Sequence, residues 1–197
     1  IPNDIVQIEV YDQSADLDVT IQKTGNQQVQ GGSQMRYDFS NIANNSNVPL
    51  GDFYWHDTIS TNAVTLNAIK TGTYNENLTY QIVYRTNKNS TWRVLAGGLN
   101  TLQSYDIDCT GSRLGFAWDE YITEFRFEFG DVGAGFHSTS NPAILVTVSG
   151  RLPNGQQFAN RADAGGSYYG KWITSSYTWV TTVITPSRPV SYPKTGY

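Results

Sequence analysis

Cysteine, charge and long apolar runs are all scarce in this chain. One cysteine, Cys109, stands in 197 residues, so no intrachain disulfide can form. Only 15% of the residues are charged, against roughly a quarter in an average domain. The net charge is −4 and no basic block occurs, which excludes nucleic-acid binding through phosphate neutralisation. No apolar run approaches the ~20 residues needed to cross a bilayer. The chain opens IPNDIV, without the features of a signal peptide, so a secreted protein is expected to be an excised piece of a longer precursor. The only histidines, His56 and His137, have no Cys or second His at metal-ligand spacing, and neither a metal nor a cofactor is expected. No G-x-S-x-G element is present to support a Ser-His-Asp hydrolase.

Tyr, Thr, Ser, Asn and Gly take the place of charge. The apolar fraction is 39% and the aromatic fraction 13%, enough for a sizeable core. Period-2 alternation dominates and helical periodicity is nearly absent. VQIEVYD, LDVTIQK, QMRYDFS, DFYWHDTI, VTLNAIK, LTYQIVYR, TWRVLA, SYDIDC, TEFRFEF, AILVTVSG, QQFANRAD and YTWVTTVI all read as strands. Turn signals such as KTGN, QGGS, NNSNVP, TNKNS and LPNG separate them, and SRLGFAWDEY has room for one helical turn. Many short strands at this spacing predict an all-β sandwich or barrel. Residues 1–12 read as a lead-in strand or linker, 13–185 as a single β-sandwich domain, and 186–197, with three prolines, as a tail.

Three polar residues fall on apolar parities. Lys23 shares a face with Leu17, Val19 and Ile21; Asp57 with Phe53, Trp55 and Ile59; Asn160 with Phe158 and Ala162. One reading is a satisfied polar cluster, a Lys–Asp pair with an amide completing its hydrogen bonds. The other is covalent. Burial favours a neutral lysine amine and a protonated aspartate. Such an amine attacks the Asn160 carbonyl while Asp57 moves the proton, ammonia leaves, and an isopeptide bond remains.

The segment VTIQKTGNQQVQGGSQMRYDFSNIANNSNVPLGDFYWHDTI resembles the repeat domains of Gram-positive surface proteins. The matching elements are Lys23-Thr24, Tyr37 to Asn41, Asp57-Thr58-Ile59 and Asn160-Arg161-Ala162, over roughly residues 15–185. The resemblance implies a collagen-adhesin A-type, immunoglobulin-like β-sandwich. It implies Lys23 as the amine, Asn160 as the acyl donor and Asp57 as the catalytic acid of an isopeptide crosslink. Many members of the broader repeat family lack the bond. The tail YPKTG, Tyr192, Pro193, Lys194, Thr195 and Gly196, resembles a sortase sorting signal with tyrosine in place of leucine. The usual apolar stretch and basic end do not follow it. The partners implied are sortase and either a peptidoglycan precursor or another pilin, at an extracellular, cell-wall-anchored location. The expected function is a structural stalk or anchor domain of an adhesin or pilus subunit, with no enzymatic turnover beyond its own crosslink.

A second reading is a module that binds a host glycan or matrix protein. The segment GSYYGKWITSSYTW, residues 166–179, carries Tyr168, Tyr169 and Trp172, together with Tyr177 and Trp179. Aromatic strands that merely cover the sandwich explain the same segment. Glu124 and Glu128 alternate opposite Phe125, Phe127 and Phe129 and are expected on a solvated face.

Overall fold

The computed structural model describes residues 14–186 and Pro193. The chain is an all-β sandwich of two sheets. One sheet has five strands in the order β1 (Val19–Thr24), β3 (Gln34–Asn44), β12 (Ala143–Val148), β5 (Val64–Lys70) and β9 (Asp106–Asp108). The other has seven: β2 (Gln28–Gln30), β14 (Lys171–Ile184), β13 (Gln157–Tyr168), β4 (Leu50–Thr58), β10 (Ile122–Val132), β7 (Thr79–Thr86) and β8 (Arg93–Asn100). A two-stranded ribbon, β6 (Thr73–Tyr74) with β11 (Ser138–Ser140), closes one end. Pairings are antiparallel except that of β14 with β2.

Alternation decides which side chains meet between the sheets. On β4, Phe53, Trp55 and Asp57 are buried, and on β10 so are Phe125, Phe127 and Phe129. The centre is aromatic: Trp55 lies 4.1 Å from Phe127 and 4.7 Å from Phe39 between ring centroids. Its indole N–H is satisfied by the Tyr74 hydroxyl at 3.0 Å. Burying each large apolar side chain contributes about 1.5–3 kcal/mol, so this layer dominates the cohesion of the sheets.

The segments read as strands within the described residues all contain strand, and α1 (Gly111–Leu114) is the single helical turn, ended by Gly115 at φ 70°. VQIEVYD lies outside the described residues. Strands β2, β6 and β11 were not anticipated; two or three residues are too few to display alternation. The aromatic segment 166–179 resolves into a hairpin, with β13 and β14 joined by Tyr169-Gly170, both at positive φ (47° and 77°). That is the geometry of a two-residue hairpin turn matched to the strand twist, and Gly170 adopts it without penalty. Cys109 is buried, and burial pushes its thiol up to about 12, leaving it unreactive. No helix among the described residues is long and apolar enough to cross a membrane.

Candidate functional site between the sheets

Strand β1 lies at the edge of the five-stranded sheet, whereas β4 and β13 are adjacent inside the seven-stranded one. The inward parity of all three carries Lys23, Asp57 and Asn160 to one place between the sheets. In the β4–β13 register Asp57 faces Ala162, which sets Asn160 on the diagonal of the same face. Each of the three residues is 0% exposed. Lys23 Nζ donates to Asp57 Oδ1 at 2.5 Å and to Asn160 Oδ1. The amine lies 4.2 Å from the Tyr37 ring centroid and 4.9 Å from that of Phe39, so aromatic faces complete its surroundings.

Gly25 makes this arrangement possible. A Cβ there would stand 2.8 Å from Tyr37 Cδ1, too close for the ring to keep its place beside the Lys23 amine. The chain therefore turns out of β1 at a residue without a side chain just where Tyr37 must lie flat.

Desolvation governs the protonation of the cluster. It lowers the pKa of Lys23, against the opposing attraction of Asp57, and raises that of Asp57, against Lys23, His56 and Asn160. Both shifts favour a neutral amine beside a neutral acid. Within these three side chains two polar atoms, Asp57 Oδ2 and Asn160 Nδ2, are buried without a hydrogen-bond partner among the described residues. Each such orphan costs about 1–3 kcal/mol. They are a carboxyl oxygen able to carry a proton and an amide nitrogen able to leave with one.

The other residues singled out in the sequence lie elsewhere. Tyr168 and Tyr169 pack edge to face, centroids 4.7 Å apart, beside a depression of 490 Å³ bordered by Pro49 and Leu50. Trp172 is turned to the outer face of the seven-stranded sheet, 6.3 Å from Tyr54. The three aromatics therefore do not form one patch. Glu124 and Glu128 do point outward, but each is engaged, by Arg85 and Arg126 respectively. His137 is exposed and its ring contacts the Gly135 carbonyl. Tyr192, Lys194, Thr195 and Gly196 lie outside the described residues.

No protein-family model and no curated protein sequence matches the chain. Solved structures do resemble it. A cohesin module from a family 33 glycoside hydrolase of Clostridium perfringens matches with a TM-score of 0.40 at 12% identity, over 85% of this chain and 98% of that one. The collagen-binding domain of a Staphylococcus aureus adhesin matches at 0.36 and 15%, over 85% and 99%. The major subunit of aggregative adherence fimbriae type I from Escherichia coli matches at 0.36 and 10%, over 86% and 95%.

Proposed function

We propose that this domain is a structural stalk or anchor unit of a bacterial surface adhesin or pilus subunit, locked by an isopeptide bond between Lys23 and Asn160. The observation that carries the reading is the contact of Lys23, Asp57 and Asn160 in a site from which water is excluded. The neutral Lys23 amine attacks Cγ of Asn160. The Asp57 carboxyl polarises Oδ1, accepts the proton shed by Nζ and passes one to Nδ2. The Nζ–Cγ bond forms, the Cγ–Nδ2 bond breaks, and the nitrogen leaves as ammonia. No oxidant or cofactor enters, and the orphaned Nδ2 is eliminated with its burial cost. Holding the groups in place supplies most of what the step requires, because the alternative is an encounter between a dilute amine and an unactivated amide.

The mechanical consequence follows from topology. Lys23 and Asn160 are 137 positions apart and lie on different sheets. Tension entering at β1 crosses the bond to β13 and leaves through β14, so the intervening chain carries none of it. The YPKTG tail supports attachment by sortase to a peptidoglycan precursor or another pilin, hence an extracellular, wall-anchored position. Digestion of the purified chain tests the reading. A branched peptide joining the segments around Lys23 and Asn160, absent from Asn160→Ala, is the expected product; two separate linear peptides from the wild type would refute it.

A further inference from the structure

The outer face of the seven-stranded sheet carries a second cluster that the crosslink does not use. Tyr54 and His56 alternate outward from β4, and Asp163 from β13 stands beside them, with His56 Nδ1 2.6 Å from Asp163 Oδ1. On the other flank Glu124 of β10 accepts from Arg85 Nη1 at 3.2 Å, and Arg126 donates Nε and Nη2 to Glu128. Trp92, just ahead of β8, lies over both guanidiniums, 4.1 Å from Arg85 Cζ and 4.5 Å from that of Arg126. Trp172 of β14, 53% exposed, rises on the opposite side. Between the two indoles runs an open groove of 440 Å³, continuous through Tyr54, Arg126 and Trp172 with a neighbouring hollow of 300 Å³.

We propose that this groove binds a neutral saccharide. The volume lies within the roughly 300–1,000 Å³ range of small-molecule sites. The open Trp172 ring suits the apolar C–H face of a sugar ring, and Trp92, covered by the two guanidiniums, closes the other wall. Its floor interleaves donors and acceptors: Arg85 against Glu124, Arg126 against Glu128, and the His56 imidazole between Glu124 and Asp163. Arg126 Nη1 makes no hydrogen bond among the described residues and is available to a ligand hydroxyl. With every cation already matched by a carboxylate, the floor offers no surplus positive charge for a phosphate, sulfate or uronate. A flat, uncharged, hydroxyl-rich ring satisfies both walls and floor. The same residues are an unconvincing metal site, since no group of three His, Cys, Asp or Glu side chains among the described residues is placed to hold an ion. An aromatic cage for an ammonium ligand is disfavoured, because the Trp92 face is already taken by guanidiniums. The groove lies on the opposite face of β4 from Asp57, so saccharide binding and the crosslink stand or fall separately.

The test uses the whole chain and four soluble probes: tetrasaccharides of β-linked glucose, β-linked galactose, α-linked mannose and β-linked N-acetylglucosamine. Tryptophan fluorescence and ligand-observed NMR are followed during titration. At least one probe is expected to saturate, with affinity at least ten-fold weaker in Trp172→Ala and in Glu124→Gln and unchanged in Trp118→Ala. Trp118, 96% exposed and outside the groove, controls for indiscriminate indole stacking. Matching far-UV spectra and melting curves establish that the variants are folded. The proposal is overturned if no probe saturates up to about 10 mM, or if Trp118→Ala weakens binding as much as Trp172→Ala. It is equally overturned if a sulfated oligosaccharide outcompetes its neutral parent, or if the Trp172-dependent ligand is a triple-helical collagen film while the sugars stay inert.

Discussion

His56 and Asp57 are neighbours on β4, yet they belong to opposite worlds. Asp57 faces inward, fully buried, against Lys23 and Asn160. His56 faces outward and meets Asp163 and Glu124, side chains about one-fifth exposed. The same residue types, carboxylates beside cations, are assembled on the two faces of one strand. Inside, removing water from an ion costs several kcal/mol, which lowers the pKa of Lys23 and raises that of Asp57, towards a neutral amine and a neutral acid. Outside, water and neighbouring charges keep carboxylates and guanidiniums in partly solvated pairs worth little to stability. Dryness biases the inner pair towards a neutral amine beside a neutral acid.

Breaking the inner cluster is expected to have the largest effect, and force reveals it best. The proposed Lys23–Asn160 bond would withhold 137 positions of chain from extension, about 450 Å of contour length. Pulling on Asn160→Ala by its termini should release that length, whereas the wild type should yield only the segments outside the bond. Without force, the same variant should lose the restriction that the proposed crosslink would place on the unfolded chain. By analogy with a disulfide closing a loop this long, the loss is about 5 kcal/mol. In calorimetry that is a fall in Tm of roughly 10–20 °C for a domain of this size.

A gentler break is Gly25→Ala. Its Cβ displaces the Tyr37 ring that covers the lysine, at a cost of about 1–3 kcal/mol. The expected readout is a mixture of crosslinked and uncrosslinked chains in the mass spectrum.

The pH dependence of the uncrosslinked Asn160→Ala form sharpens the comparison. Burial raises the pKa of Asp57 and lowers that of Lys23, so the folded pair holds one proton. The unfolded pair also holds one between the ordinary pKa values of 3.8 for aspartate and 10.5 for lysine, so this pair contributes no slope near neutrality. Below 3.8 the unfolded chain binds a second proton that the buried lysine resists, and stability falls as the pH drops. Above 10.5 the unfolded chain has lost both while the folded pair retains one, and stability falls as the pH rises. Each limb should approach about 1.4 kcal/mol per pH unit in denaturant titrations. The smallest effect belongs outside. Arg126→Ala should change unfolding free energy by less than about 1 kcal/mol.

How much of this was legible before the structure differs between the two faces. The inner residues announced themselves by parity. A lysine in step with Val19 and Ile21, an aspartate in step with Phe53 and Trp55, and an asparagine in step with Phe158 violate the binary pattern, and period-2 alternation has no way to hide them. Sequence position could not show that three strands on two sheets bring them into contact; that depends on strand order and register. The outer cluster left no such trace. Tyr54, His56, Arg85, Glu124, Arg126 and Asp163 all obey the pattern as polar outward residues, and Trp92 sits outside its strand, so nothing marks them as a group until β4, β7, β10 and β13 are aligned. The segment 166–179 looked like one aromatic patch because the positive-φ turn at Tyr169-Gly170 lacks the usual Asn-Gly signature, and the hairpin sends Tyr169 and Trp172 to different surfaces.

The most direct test of the crosslink is the intact mass of the purified chain, read beside Lys23→Ala and Asp57→Ala. The expected result is a wild-type mass one ammonia below that of its sequence, with both variants at their full sequence masses. A wild-type chain at full mass would contradict the crosslink and leave Lys23, Asp57 and Asn160 as a buried polar cluster.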